Sequence, residues 1–262
     1  MKNNPETLFF DDFTAAHLNR DVWNVEVTGK IYNNELQAYI DSPETVYVSH
    51  SEADCNGALV LQAYYRPGFC NPQGTQFDFV SGRVHTRNKV TFRYGRVSAR
   101  LKIPAVSGAW PAFWALGTQG AWPACGEIDI MEAVGEPDWI SAAAHGPNYS
   151  GEAGLVNKKY FQPPDGIAEW HIYTAECTPE KLLFFVDDEL IYRITRPMVT
   201  FFGPWVFDGE KFLILNLALG GAYPFKTNGI HQPYYGLPYA AVQDIQNNLV
   251  RFVVDWVKIT TL

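Results

Sequence analysis

Short runs of alternating apolar and polar residues recur along this chain, and they predict β-strands. In the segment 94–103, polar or charged residues alternate with apolar ones after Gly95. Such alternation is typical of a strand with one buried face. Comparable runs lie between turn signals at 58–63, 82–86, 112–117, 142–145, 171–178, 182–186, 190–194, 212–217 and 249–259. Long amphipathic helix patterns are absent, and short helical turns are predicted only at 15–22 and 239–246.

Many short strands separated by turns predict an all-β sandwich or barrel. The chain has 262 residues, with no internal repeat, low-complexity linker or shift in composition. All-β sandwiches and barrels of about this length commonly form one unit. We therefore predict a single domain over residues 1–262.

Composition and charge exclude several classes of protein. Hydrophobic residues make up 47% of the chain, which is enough for a sizeable core. A net charge of −8 without a basic run argues against binding to nucleic acid or to an anionic membrane. No run of apolar residues is long enough for a transmembrane helix. The first residues lack the apolar core of a signal peptide, so the protein is either cytoplasmic or has lost a leader.

The four cysteines, Cys55, Cys70, Cys125 and Cys177, match no metal-ligand spacing. Cys55 and Cys70 lie in one stretch rich in glycine, proline and asparagine, and could form a disulfide in an oxidising compartment. The state of the other two stays open.

The segment Gly-Glu-Ile-Asp-Ile-Met-Glu at 126–132 places three carboxylates in a run that otherwise predicts a buried strand. Carboxylates are rarely buried unless they are paired or used. Side chains two residues apart share a face of a strand, so Glu127 and Asp129 point the same way. Glu132 joins them only if a β-bulge accommodates one extra residue. Such bulges often lie beside active sites.

This arrangement suits acid–base and nucleophilic chemistry on a glycosidic bond. Retaining glycosidases use two carboxyl groups about 5–5.5 Å apart, one as nucleophile and one as general acid/base. Crowding three carboxyls raises at least one pKa, because like charges resist joint ionisation. A protonated acid then stays available near neutral pH. The simpler alternative is an acidic strand edge.

The sequence Glu-Ile-Asp-Ile-Met-Glu resembles the catalytic signature of glycoside hydrolase family 16 in its bulged, laminarinase-like form. The resemblance implies that Glu127 is the nucleophile, Glu132 the acid/base and Asp129 the assisting residue. It also implies a β-jelly roll of two curved antiparallel sheets, concanavalin A-like, with a concave substrate cleft. The activity implied is that of a retaining endo-β-1,3-glucanase on a β-glucan, with no cofactor for catalysis.

Further segments extend the resemblance to substrate contacts. Trp110 and Trp114 lie in Gly-Ala-Trp-Pro-Ala-Phe-Trp, which resembles the family segment whose tryptophans line the donor subsites. Asn34 and Arg83 lie in segments that resemble donor-side elements of the family, and His145 corresponds to a histidine near the acid/base. Each also has an ordinary structural interpretation: a core tryptophan, a loop asparagine, a surface arginine or a hydrogen-bonding histidine.

A structural calcium ion is also common in the family. By resemblance its ligands would be Asp12, a backbone oxygen of Gly57, and Asp255. Oxygen ligands of this kind suit Ca²⁺. Because a degrader of β-glucan meets its polymer outside the cell, we expect an extracellular protein that has lost its leader, and we expect a monomer.

Two other functions compete with this interpretation. Bulged relatives include hydrolases of galactans such as agarose and carrageenan, and mixed-linkage β-glucan is a further candidate substrate. A glucan-recognition protein would keep the fold but lose catalytic carboxylates, whereas all three are present here.

Overall fold

The computed structural model describes residues 5–28, 31–162 and 166–262. Its eighteen described strands are β1 (Thr7–Asp11), β2 (Asn24–Val25), β3 (Gln37–Tyr39), β4 (Val46–Ser49), β5 (Ala58–Gln62), β6 (Tyr64–Cys70), β7 (Gln76–Ser81), β8 (Arg83–His85), β9 (Gly95–Lys102), β10 (Ala109–Gly117), β11 (Glu127–Glu132), β12 (Trp139–His145), β13 (Leu155–Tyr160), β14 (His171–Cys177), β15 (Lys181–Val186), β16 (Glu189–Thr195), β17 (Lys211–Leu219) and β18 (Arg251–Thr260). The described helices are α1 (Arg196–Phe202), α2 (Ala222–Asn228) and α3 (Tyr239–Gln246), and a 3-10 turn spans Gly151–Ala153.

Two large antiparallel sheets form the sandwich that the strand pattern predicts. The eight-stranded sheet has the order β16-β15-β14-β9-β18-β5-β4, with β1 beside β18. The seven-stranded sheet has the order β13-β12-β11-β10-β17-β8-β2. A small sheet, β3-β7-β6, completes the fold. Apolar side chains from both large sheets meet in one core cluster, so the two sheets pack face to face.

Strand β10 shows how the alternation of residues divides the two faces of the seven-stranded sheet. Phe113 and Ala115 are fully buried in the core between the sheets. Trp110, Trp114 and Leu116 point to the opposite face and are partly exposed. Because successive side chains of a strand alternate between faces, this sheet has an apolar inner face and an outer face that carries functional groups. We call the outer face the cleft face.

The helical turn predicted at 15–22 is limited to the end of this segment, where the Trp23 backbone N–H donates to the carbonyl oxygen of Asn19 at 3.0 Å. Residues 15–17 form a bend instead. The Asn19 side chain caps the turn by accepting a hydrogen bond from the Asp21 backbone N–H at 2.9 Å. The second predicted helix is confirmed, since α3 spans Tyr239–Gln246.

Helix α1 was not predicted, although its sequence carries a start signal. Thr195 caps it by accepting a hydrogen bond from the Met198 backbone N–H, and Pro197 lies in its first turn. Helix α2 begins after Gly221, which has a φ of 88° that favours glycine.

No disulfide joins Cys55 to Cys70, and all four cysteines are free. Cys125 and Cys177 are buried, so burial raises the pKa of both thiols. Among the helices of the described ranges, none combines the length and the apolar character needed to cross a membrane.

Candidate active site

The bulge predicted in the catalytic segment is present in β11. Against β12, Asp129 pairs with Ala143 and Glu132 with Ser141, so three steps along β11 match two steps along β12. The same irregularity appears against β10, where Trp114 pairs with Asp129 and Phe113 with Met131. The extra residue shifts the alternation of side chains by one residue, so Glu132 lies on the same face as Glu127 and Asp129. Glu127, Asp129 and Glu132 therefore all line the cleft.

Asp129 is the central and most buried carboxyl group, with a residue exposure of 3%. It shares a hydrogen bond with Glu127. Its Oδ2 atom lies 3.2 Å from Nε2 of His145. That approach is not aligned as a hydrogen bond, since Oδ2 of Asp129 is buried without a hydrogen-bond partner among the described residues. The other ring nitrogen of His145, Nδ1, is also buried without a partner there. Asp129 therefore has spare acceptor capacity inside the site.

Burial raises the pKa of each of the three carboxyl groups to about 8. The negative charge of Asp129 raises the pKa of Glu127 and of Glu132 further. In the opposite direction, a hydrogen bond from Trp122 lowers the pKa of Glu127, and one from Trp110 lowers that of Glu132. The cluster therefore keeps at least one proton near neutral pH, as a general acid requires.

The cleft crosses the strands of the seven-stranded sheet and has a volume of about 440 Å³. It extends from β11 across β10, β17 and β8 to the end of β2, and the loop before β3 forms one wall. Its lining combines acidic, basic and aromatic groups: Glu26, Tyr32, Asn33, Glu35, Tyr39, Arg83, His85, Arg87, Trp110, Ala112, Trp114, Leu116, Trp122, Glu127, Asp129, Glu132, Phe212, Asn216 and Ala218.

Three of the five predicted substrate-binding residues line this cleft: Trp110, Trp114 and Arg83. The Trp110 indole N–H donates to Oε1 of Glu132 at 3.0 Å. The Trp114 indole N–H donates to Oδ1 of Asn216 at 2.7 Å. Arg83 lies over the Trp114 ring, 5.1 Å from its centre, and its Nε is buried without a hydrogen-bond partner in the described structure. The two indoles are thus fixed in orientation and each keeps a partly exposed ring.

The other two predicted residues lie beside the cleft. Asn33, the neighbour of Asn34, lines the wall, whereas Asn34 does not. Both residues have a positive φ, near 51° and 57°, so they form a tight turn. His145 lies behind Asp129, where its charge lowers the pKa of Glu127 and of Glu132. His145 therefore contacts the carboxyl group of Asp129, the assisting residue.

Several cleft residues were not predicted as ligands. Glu35 is largely buried, so burial raises its pKa, and it accepts a hydrogen bond from Gln37. The Asn-Asn-Glu motif could have indicated Glu35 as a cleft residue, but only Asn34 was predicted from it. Asn216 was visible as a polar residue in an apolar strand. Trp122 is 51% exposed and lies in a second Trp-Pro pair, which the sequence displays.

Two of the three predicted calcium ligands lie at a separate pocket beside the eight-stranded sheet, and Gly57 does not line it. Asp12 and Asp255 both line it, together with Asn56, the neighbour of Gly57. Gly57 packs so closely that a Cβ atom would lie 2.3 Å from the carbonyl oxygen of Phe13. Oδ2 of Asp255 is paired with Arg100 at 2.6 Å. The oxygen donors fit Ca²⁺, while the guanidinium of Arg100 opposes a cation there.

One compact group of potential metal ligands occurs among the described residues, namely Glu127, Asp129 and His145, whose ligand atoms lie within 4.8 Å of one another. Asp12 and Asp255 do not belong to such a group. Glu127, Asp129 and His145 belong to the carboxyl cluster of the cleft and its neighbour, so the catalytic chemistry of the cleft explains why they lie together.

Known proteins resemble this chain over most of its length. The family described as "Glycosyl hydrolases family 16" matches residues 33–205. A β-glucanase of Rhodothermus marinus is 34% identical over 231 residues, covering 83% of this chain and 77% of that protein. The structure of an endo-β-1,3-glucanase from Pyrococcus furiosus has a TM-score of 0.84 and 31% identity, covering 98% of this chain and 94% of that one.

A laminarinase catalytic domain from Thermotoga maritima is also similar, with a TM-score of 0.82 and 28% identity over 99% of both chains. These likenesses confirm the jelly-roll fold and the laminarinase-like resemblance that the bulged signature indicates. From the bulged carboxyl triad and from these likenesses, we conclude that the chain belongs to glycosyl hydrolases family 16.

Proposed function

We propose that this protein is a retaining endo-β-1,3-glucanase that hydrolyses laminarin-like β-glucan. The observation that carries the proposal is the bulge in β11, which brings Glu127, Asp129 and Glu132 to one wall of the cleft. Similar proteins named as β-glucanase and endo-β-1,3-glucanase support the choice of sugar and linkage.

In the first step, Glu127 attacks the anomeric carbon of the bound glucan and Glu132 protonates the departing glycosidic oxygen. Glu127 must be ionised for this attack. The hydrogen bond from Trp122 and the charge of the Arg83 guanidinium favour its ionised form and offset part of the rise in pKa that burial causes. Glu132 keeps the proton because burial and the charge of Asp129 raise its pKa.

In the second step, Glu132 has lost its proton and accepts one from a water molecule, which attacks the anomeric carbon and releases the Glu127 carboxylate. Asp129 assists both steps, because it shares a hydrogen bond with Glu127 and its charge acts on Glu132. The configuration at the anomeric carbon is retained, since it is inverted twice.

The donor sugars occupy the wall formed by β10, β17 and β8. Trp110 and Trp114 offer ring faces to the apolar CH surfaces of glucose. Arg83 adds an unpartnered Nε–H that can donate to a sugar hydroxyl. Asn34 and His145 act indirectly in this proposal, through the turn that holds Asn33 and through the charge behind Asp129.

The pocket of Asp12 and Asp255 is the proposed place of a structural calcium ion, with a backbone oxygen of Gly57 as a further ligand. When bound, the ion would join the segment after β1 to β18 and stabilise the fold. Thermal unfolding in CaCl₂ and in EDTA tests this. A higher melting temperature in CaCl₂ that is lost in Asp255→Asn supports the site, and equal temperatures contradict it.

The remaining expectations are an extracellular location, a role in polysaccharide degradation, a single catalytic domain over residues 1–262 and a monomer. They follow from the polymeric nature of the proposed substrate and from the strand pattern. Fractionation of the source cells and light scattering of the purified protein would test location and oligomeric state.

The function is tested by the release of reducing sugar from laminarin, mixed-linkage β-glucan, agarose and carrageenan, with Glu127→Gln beside the wild type. We expect activity on laminarin and a loss of about 10⁴-fold or more in the variant, because the nucleophile is removed. Glu176→Gln, which changes a strand glutamate paired with Arg96, is the matched control and keeps full activity.

Activity on a galactan alone would overturn the sugar assignment and keep the chemistry. Binding to laminarin without turnover of any polymer would overturn the enzymatic proposal in favour of a recognition protein.

A further inference from the structure

The two flanks of the catalytic strand differ in access. On the β10 side, Trp110, Trp114 and Leu116 are partly exposed and line the cleft. On the β12 side, the residues paired with the three carboxylates are Ser141, Ala143 and His145. Directly opposed residues of an antiparallel pair share a face, so these three also point to the cleft face.

The cleft-facing residues of β12 are nevertheless covered. Ser141 is 0% exposed and Ala143 is 1% exposed. Within the described ranges, no residue of β12 or β13 lines the cleft. The open cleft therefore lies on one side of the carboxyl cluster.

Two segments form the cover over β12. The hydroxyl of Tyr223 in α2 lies 3.1 Å from Oγ of Ser141, and its ring packs edge-on against Trp110 at 5.3 Å. At the other end, the loop that contains the 3-10 turn Gly151–Ala153 packs on His145. A Cβ atom at Gly154 would lie 2.3 Å from Cε1 of that histidine. We call Tyr223 and the turn Gly151–Ala153 the cover.

An ion pair connects the two parts of the cover. Lys226, one turn after Tyr223 in α2, pairs through Nζ with Oε2 of Glu152 in the 3-10 turn. Their side chains are 59% and 79% exposed. Because Tyr223 of α2 contacts Ser141, and Gly154 directly after the turn packs on His145, the pair joins the two segments that cover β12.

This position matters for a polymeric substrate. The sugars on both sides of the scissile bond must lie across the strands, with Glu127 and Glu132 between them. If the donor sugars occupy the β10 side, the leaving sugars must lie over β12, which is the covered side. Cleavage within a long chain therefore needs this side to open, whereas a small leaving group does not.

We propose that the ion pair Lys226–Glu152 holds the cover closed over the leaving-group side, and that it determines how well the enzyme accepts long leaving groups. The inference rests on the proposed function. An exposed pair contributes little free energy, so the expected effects are modest, about two- to five-fold. Salt should weaken the pair by screening.

The test compares laminarin with an aryl β-laminaribioside, which carries a small phenol as leaving group. In Glu152→Gln, we expect KM for laminarin to fall about two- to five-fold, while kcat/KM for the aryl glycoside stays at the wild-type value. The double charge reversal Glu152→Lys with Lys226→Glu restores the wild-type KM. Added NaCl lowers KM for laminarin in the wild type and has no effect in Glu152→Gln.

A matched control is Glu189→Gln, which breaks the ion pair with Lys159 on strands away from the cleft and leaves both substrates unaffected. Equal changes on both substrates, no change on laminarin, or no rescue by charge reversal would overturn the inference. A wild type that turns over neither substrate would instead overturn the proposed function, so the two failures are distinguishable.

Discussion

Carboxylates gather at two places in this molecule, and their surroundings differ. In the cleft, Glu127, Asp129 and Glu132 lie together with no bonded arginine or lysine among the described residues, and their pKa values are raised. In the pocket beside the eight-stranded sheet, Asp255 is held by Arg100 at 2.6 Å. Arg100 also donates to the carbonyl oxygen of Asp54 and lies 4.6 Å from the centre of the Trp170 ring.

This difference in surroundings indicates a catalytic role for the carboxylates of the cleft and a structural role for Asp255 in the pocket. A buried carboxylate that is paired with a cation and hydrogen bonded contributes to a fixed arrangement of strands. A buried carboxylate without a cation costs free energy, and the fold tolerates it where proton transfer needs it. Variants in the cleft should therefore change activity and pH dependence, and variants in the pocket should change stability.

The largest effect is expected for Glu132→Gln. Loss of the general acid should lower laminarin hydrolysis about 10³-fold, within the usual range for such groups. Attack on an aryl β-laminaribioside with a dinitrophenol leaving group should be nearly unaffected, because that leaving group needs no proton. Steady-state and burst kinetics measure both. An equal loss in the rate of the first step on the two substrates would contradict the role of Glu132 as the acid.

A smaller effect, on stability alone, is expected for Arg100→Met. It leaves Asp255, whose side chain is 14% exposed, without its cation. We expect a loss of about 1–3 kcal/mol in the free energy of unfolding, measured by urea in EDTA, with unchanged kcat. The control Arg20→Met breaks an exposed pair with Asp41 and should cost at most about 0.5 kcal/mol. A loss of kcat in Arg100→Met would contradict the claim that the pocket affects stability and not activity.

Asp129→Asn should change stability in a pH-dependent way. The folded pKa of Asp129 is about 8 and its ordinary value is 3.8, so the folded state binds more protons between these values. The wild type therefore loses stability as pH rises through this window, and the variant loses less, because only Glu127 and Glu132 still have raised pKa values. By pH 8 the variant should be more stable by about 1–2 kcal/mol.

Urea unfolding at pH 5 and pH 8 measures this difference. The control Asp188→Asn removes an exposed carboxylate, 84% accessible, and should show no such gain. A variant of Asp129 that follows the wild type at both pH values would show that this carboxyl does not contribute to proton binding by the folded cluster.

The smallest effect is expected for Trp110→Phe, which removes the N–H donated to Glu132. That hydrogen bond lowers the pKa of Glu132, so its loss should move the alkaline limb of the activity profile to higher pH. Trp114→Phe is the control, since its N–H is donated to Asn216. It should weaken substrate binding and leave the alkaline limb in place. A shift in both variants would contradict the assignment.

The sequence alone could predict those parts that depend on local alternation. The strand at 94–103 appears as Gly95–Lys102, and the bulge follows from the placing of three carboxylates. The helical turn predicted at 15–22 is limited to one hydrogen-bonded turn after Asn19, because a single turn gains few hydrogen bonds for the residues that it fixes.

Within the site, the groups on β10 and β11 could be predicted because each set lies in one short, contiguous motif. The far wall could not, because Glu26, Arg87 and Phe212 come from segments distant in the chain that only the sheet order brings together. The cover over β12 was equally hidden, since Tyr223 meets Ser141, and Glu152 meets Lys226, through tertiary packing alone.

The central claim is that Glu127 and Glu132 perform a double displacement with retention. ¹H NMR of the first product released from laminarin tests it most directly, because the anomeric proton shows the configuration before mutarotation. The account predicts that the β-anomer appears first and the α-anomer follows slowly. Initial release of the α-anomer would show a single displacement by water and would contradict the role of Glu127 as the nucleophile.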